Sequence, residues 1–149
     1  MADRSFLGWP FFDDAHRALA ARLESWVDRE LVPLTGEEPA AAALDETTKR
    51  LLSALAGGGW LKYCVPAAWG GTSEKLDVRS LCLIRETLAR TSGLADFAFA
   101  MQGLGSAPIA MFGSDALRAD ILPGIVRGER IGAFALSEPV PLLGLFVAP

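Results

Sequence analysis

From Gly93 to Phe112 the chain runs for twenty residues with one charge, Asp96. No other segment limits the fold as much, because so apolar a run must be covered by protein or by lipid. Its length reaches that of a membrane-spanning helix. Asp96, Gln102, Pro108 and three glycines (93, 103 and 105) argue against lipid, and no basic flank orients a span. The segment is expected to be a helix covered on nearly all sides by other helices, in an all-α bundle.

The rest of the chain supplies partners for it. A first helix is predicted from Asp13 or Asp14 to about Val32, with Asp13 and Asp14 suited to its N-terminus. Ala15, Leu19, Leu23, Trp26, Val27 and Leu31 form its apolar stripe. His16, Arg17, Glu24 and Asp28 fall off that stripe, so His16 is expected to be solvated. Pro33 and Gly36 stop the helix, and Leu34 to Ala43 reads as an exposed connection. A second helix starts at Asp45, buries Leu51, Leu52, Leu55 and Ala56, and ends at Gly57-Gly58-Gly59. Trp60 to Pro66 reads as extended, and Gly70-Gly71 as a turn. A third helix runs from about Leu76 to Arg90, with Val78, Leu81, Leu83, Ile84 and Leu88 apolar and Glu86 paired with Arg90. A short helix from Ser114-Asp115 to Leu122 closes at Pro123-Gly124. Ile131 to Ser137 reads as a buried strand, and the uncharged Val140 to Pro149 as the least ordered stretch.

A length of 149 residues fits one domain, or one domain and a fragment, and 51% hydrophobic against 21% charged residues excludes disorder. The net charge is −4, with no block of like charges, which excludes a nucleic-acid surface. Asp3, Arg4, Asp13 and Asp14 interrupt the N-terminal stretch and exclude a secretory signal. One histidine and two cysteines, Cys64 and Cys82, make neither a zinc site nor a disulfide framework, so no metal is expected. A reducing, cytoplasmic location follows as the default. Gly57-Gly58-Gly59 leads into Trp60 rather than Lys-Ser/Thr, and Gly103-Leu104-Gly105 lacks a third glycine, so no phosphate loop is present. The residues supply no nucleophile, metal cage or paired carboxylates, and no self-contained active site is expected.

Two stretches carry a resemblance. Trp60-Leu61-Lys62-Tyr63-Cys64-Val65-Pro66-Ala67-Ala68-Trp69-Gly70-Gly71 resembles the "Gly-Leu … Val-Pro-Glu-x-Tyr/Phe-Gly-Gly" loop of the acyl-CoA dehydrogenase family. Ala107 to Ser114, then Leu122-Pro123, then Gly128-Glu129 through Ala135-Leu136-Ser137-Glu138-Pro139 resembles the next part of that family, and Glu86-Thr-Leu-Ala-Arg90 fits between them. The pieces keep their order from about Phe12 to Pro139, 128 of 149 residues. The family's glycine-rich continuation after Glu-Pro is replaced by Val140-Pro141-Leu142-Leu143.

The resemblance implies a fold and a chemistry. Residues 1–128 would be the N-terminal helical domain, an orthogonal bundle. Residues 129–149 would start the middle β-domain with a short strand and an apolar tail. Family members are oxidoreductases of fatty-acid metabolism acting on CH–CH donors. FAD takes a β-hydride from an acyl-CoA thioester while a carboxylate takes the α-proton. That carboxylate lies in the family's C-terminal domain, so no catalytic residue is assigned here, and Glu138 belongs to the signature turn. Phe134, Leu136 and Ser137 stand where relatives line the flavin. A hydroxyl at Ser137 would donate to the isoalloxazine edge. An ordinary strand-end role for Ser137, and core roles for Phe134 and Leu136, stay open. Asp96, Phe97, Ala100 and Leu104 stand on the helix that walls the acyl pocket, with plain core packing as the alternative. The reading is a truncated FAD-dependent acyl-CoA dehydrogenase, inactive alone. The alternatives are a non-catalytic helical module and part of a flavin-dependent monooxygenase of the same fold. Faces meant for absent domains would stay apolar and exposed, which predicts homo-oligomerisation or dependence on those domains.

Overall fold

The first helix, α1 (Asp14–Trp26), starts at a reciprocal cap. The Asp13 carboxylate accepts the His16 backbone N–H at 3.2 Å, and the Asp13 N–H points back at His16 Nδ1 at 3.3 Å. A computed structural model of the chain describes residues 3–36 and 39–133. Within them α1 is followed by α2 (Leu44–Gly57), α3 (Val78–Thr91), α4 (Gly93–Phe112) and α5 (Asp115–Val126).

Pro33 does not end the first helical segment. After Trp26 the chain widens into a π-turn, Val27–Leu31, and then tightens into a 3₁₀ turn, Val32–Leu34. Pro33 lies in the first turn of that piece, where a missing N–H costs nothing. Val27 and Leu31 are both buried as a result.

In α2, Asp45 and Glu46 occupy the first turn, where the helix dipole favours negative charge, and Leu51, Leu52 and Leu55 face inward as expected. The run after it is not extended. Trp60–Cys64 forms a 3₁₀ turn, and only Val65 and Pro66 are extended. The reason is burial: Trp60, Leu61, Cys64 and Val65 are each at most 1% exposed, whereas a strand would turn Trp60 and Leu61 to opposite faces.

In α3, Asp77 caps the first turn and Leu83, Ile84, Thr87 and Leu88 are buried. Val78, one of its apolar residues, is 66% exposed. The expected pair is present, with Arg90 Nε 3.1 Å from Glu86 Oε1. Ser92 caps α4, its hydroxyl accepting the Ala95 N–H at 3.2 Å.

The helix α4 has the predicted bounds but not the predicted environment. Ala95, Ala98, Phe99, Gln102 and Ser106 form its buried side. Phe97, Leu104, Met111 and Phe112 are 56%, 47%, 62% and 81% exposed. Only one side is covered by the rest of the described chain. Helix α5 runs through Pro123 to Val126 rather than stopping there. Leu122 and Ile125 are buried on either side of the proline, and their burial outweighs one lost hydrogen bond.

The core draws on every helix: Leu23, Leu55, Ile84, Phe99 and Leu122 meet Trp60 and Leu61 at its centre. Beyond α5, Gly132 crosses α4 at backbone distance. A Cβ on Gly105 would lie 2.9 Å from Gly132 Cα, and one on Gly132 would lie 2.7 Å from the Met101 carbonyl oxygen. The Gly132 N–H donates to Gln102 Oε1 at 3.1 Å, which ties this crossing to the helix. Of the strand predicted over Ile131–Ser137, Ile131 to Ala133 are described and are not in a strand, with Ile131 54% exposed. Phe134 to Ser137 and the tail lie outside the described residues. Among the described residues no helix is long and apolar enough to cross a membrane.

Candidate functional site

At 100° per residue, Asp96, Phe97, Ala100 and Leu104 fall within one 100° arc of α4. That arc is the open side of the helix. Phe97 and Leu104 stand out from it, and half-buried Ala100 leaves a small-residue gap between them. Met111 extends the same apolar face toward the C-terminal end.

The one charge on the arc is neutralised. Arg85 of α3 grips Asp96 with two parallel bonds, Nε to Oδ1 and Nη2 to Oδ2, both 2.8 Å. The Asp96 side chain is 16% exposed, and its hydrogen bonds raise the Arg85 pKa. The face therefore presents hydrocarbon beside a closed ion pair, which suits an apolar ligand and not an ionic one.

Below this face, Ser106 donates its hydroxyl to the Cys64 carbonyl at 2.9 Å. Gln102 Nε2 is buried without an acceptor, although Gln102 Oε1 is engaged by Gly132. The three residues predicted at a flavin, Phe134, Leu136 and Ser137, lie outside the described residues, so the structure brings together only the four on α4.

His16 was misread as solvated. It is 4% exposed, with Nδ1 2.7 Å from Asp13 Oδ1 and Nε2 2.8 Å from Asp77 Oδ2. The signal was in the spacing: His16, Leu19, Ala20 and Leu23 form the buried stripe, and Ala15 is outside it. The ring serves as a tie. Phe12 packs edge-on against it at 5.7 Å, Arg17 holds the Leu7 and Phe12 carbonyls, and Arg79 holds the Phe11 carbonyl. The segment before α1 is thereby fastened to α3. Cys64 is buried, and desolvation pushes its thiol up to about 12, which leaves it chemically inert.

A family model described as "Acyl-CoA dehydrogenase, N-terminal domain" matches residues 13–129. The chain belongs to the acyl-CoA dehydrogenase family. A probable acyl-CoA dehydrogenase of Bacillus subtilis is 34% identical over 128 residues, covering 86% of this chain and 21% of that protein. A 3-(aryl)acrylate reductase of Clostridium sporogenes is 28% identical over 130 residues, covering 87% of this chain and 33% of the relative. This chain thus spans about a fifth to a third of the length of these curated relatives. The solved structure of an acyl-CoA dehydrogenase complexed with FAD from Bacillus anthracis superposes with a TM-score of 0.66 at 28% identity, covering 87% of this chain and 22% of that one. A nitroalkane oxidase superposes with a TM-score of 0.72 at 18% identity, a likeness of fold alone.

The helical fold expected from the sequence is the one observed.

Proposed function

We propose that this chain forms the substrate-side wall of an FAD-dependent acyl-CoA dehydrogenase. Residues 1–128 make the helical domain and 129–149 start the middle β-domain. The observation that supports this is the open apolar arc of α4, with its only charge closed off by Arg85. Phe97 and Leu104 flank the acyl chain, Ala100 leaves room for it, and all three exclude water from it. The Asp96–Arg85 pair keeps a bare carboxylate away from the thioester. Phe134 and Leu136 line the flavin, and the Ser137 hydroxyl and N–H donate to its edge. FAD, when bound, supplies hydride acceptance. No residue of this chain is assigned the α-proton, and the chain alone turns nothing over. Its setting is a reducing cytoplasm, where free Cys64 and Cys82 persist.

The test is a chimera joining this chain to the middle and C-terminal parts of the Bacillus subtilis relative. Dye reduction driven by acyl-CoA is expected from the chimera and not from the chain alone. Ala100→Trp in the chimera is expected to raise KM for long acyl groups while the bound flavin spectrum is kept. Turnover by the chain alone, or an unchanged KM in Ala100→Trp, would overturn the reading.

A further inference from the structure

Residues of α1 and of the turns after α1 and α2 line a cavity of about 450 Å³, with no α4 residue in its wall. Three cations line it: Arg22 of α1, Arg29 of the π-turn and Lys62 of the 3₁₀ turn. Among the described residues no carboxylate lines it. Arg29 Nη1 donates to Ser25 Oγ at 2.8 Å, and its ion-pair neighbour among the described residues, Glu30, is 4.0 Å away with both side chains more than half exposed. Arg22 is held in place by other means. Its Nη2 donates to Tyr63 Oη at 2.7 Å, and its guanidinium lies 4.9 Å from the centre of the Trp60 ring.

The wall between these cations is built around Gly58. Trp60 is 1% exposed, yet its indole Nε1 has no acceptor. It sits against Gly58 in the cavity wall, where a Cβ would lie 2.5 Å from Trp60 Nε1 and 2.7 Å from Trp26 Nε1. Gly58 has ordinary helical dihedrals (φ −73°, ψ −8°), so the glycine serves space and not conformation. It lets two indole N–H edges converge on the wall.

We propose that this cavity binds a small phosphorylated molecule through its phosphate group. Three cations, the Trp26 indole N–H and the Thr72 hydroxyl form a set dominated by donors, whose complement is a multiply charged oxyanion. A carboxylate with one charge would leave most of these donors unused. A phosphate offers two charges and three terminal oxygens to guanidinium forks and the ammonium. The cavity is larger than a bare phosphate, and the Trp60 and Tyr63 rings at its side, 19° from coplanar, give an organic substituent an apolar wall. This site shares no residue with the proposed acyl wall, so either reading stands if the other fails.

The experiment follows the four tryptophan indole N–H signals of the purified full chain by ¹H–¹⁵N NMR. The probes are inorganic phosphate and phenyl phosphate, with chloride at matched ionic strength as the blank. The Trp26 and Trp60 signals are expected to shift saturably, with half-saturation at about millimolar concentration and tighter for phenyl phosphate, while Trp9 and Trp69 stay still. Arg22→Gln and Lys62→Gln, both exposed positions, are expected to weaken binding about tenfold, and Lys49→Gln on α2 to leave it unchanged. Thermal melts of each variant separate lost binding from lost fold. A drift shared by all four signals, an equal response to chloride, or wild-type affinity in both Arg22→Gln and Lys62→Gln would overturn the proposal.

Discussion

Replacing Gly71 by alanine is expected to damage the fold more than replacing Gly70, although Gly70 alone has a positive φ. The loop they share is closed by three backbone bonds, one of them to the Trp60–Cys64 turn. Gly71 N–H donates to the Pro66 carbonyl at 3.1 Å, Thr72 N–H to Lys62 at 3.2 Å, and Ala67 N–H to Ser73 at 2.7 Å. A Cβ on Gly71 would overlap the Val65 carbonyl oxygen and lie 2.9 Å from that of Lys62. Both obstacles are backbone, so no side-chain rotation relieves them, and the loop must open. Losing three such bonds at about 0.5–1.5 kcal/mol each gives roughly 1.5–4.5 kcal/mol, before any loosening around buried Val65. Gly70, at φ 98°, would pay only backbone strain of roughly 1–2 kcal/mol, because its Cβ meets nothing closer than Val126 at 3.9 Å. Guanidinium unfolding followed by tryptophan fluorescence, with Trp69 inside the loop, measures both variants at comparable m-values. Gly71→Ala within about 0.5 kcal/mol of wild type, or less harmful than Gly70→Ala, would refute the steric argument.

His16→Ala should cost about 2–3 kcal/mol, because it removes the buried ring that ties Asp13 to Asp77, and trypsin should then cut at Arg4 faster than in wild type. Burial pushes the Asp77 carboxyl up, but hydrogen bonds from Ser80, His16 and Arg79 outweigh it and set it at about 2. Stability from this group is therefore fully present above the ordinary 3.8 and is lost as pH falls toward about 2, so Asp77→Asn should flatten that part of the acid-unfolding curve. A thiol reagent near neutral pH should label exposed Cys82 alone, with buried Cys64 reacting only after unfolding; mass spectrometry of the labelled peptides reads the result.

Much of the fold was readable along the chain. The bounds of α4, the starts at Asp13 and Ser114, and the stop at Gly57-Gly58-Gly59 depend on residues adjacent to the feature they produce. Such signals need no knowledge of the rest of the molecule. The motifs that placed the chain in its family are equally local. The errors are of another kind. The apolar run of α4 reads as covered on nearly all sides, because composition says that a side chain is apolar and not what lies opposite it. The buried stripe of α1 was drawn through Ala15 instead of His16, since a polar residue reads as solvent-facing until Asp13 and Asp77 are known to meet both ring nitrogens. Trp60–Cys64 was read as extended from its residue types, yet it coils because α2, α4 and α5 close around it. Pro123 ends a helix in isolation and is carried through one when Leu122 and Ile125 are buried. Local chemistry marks where an element begins and which arc it can bury; the packing of the other elements chooses which arc is covered, since burial energy belongs to pairs of surfaces distant in the chain.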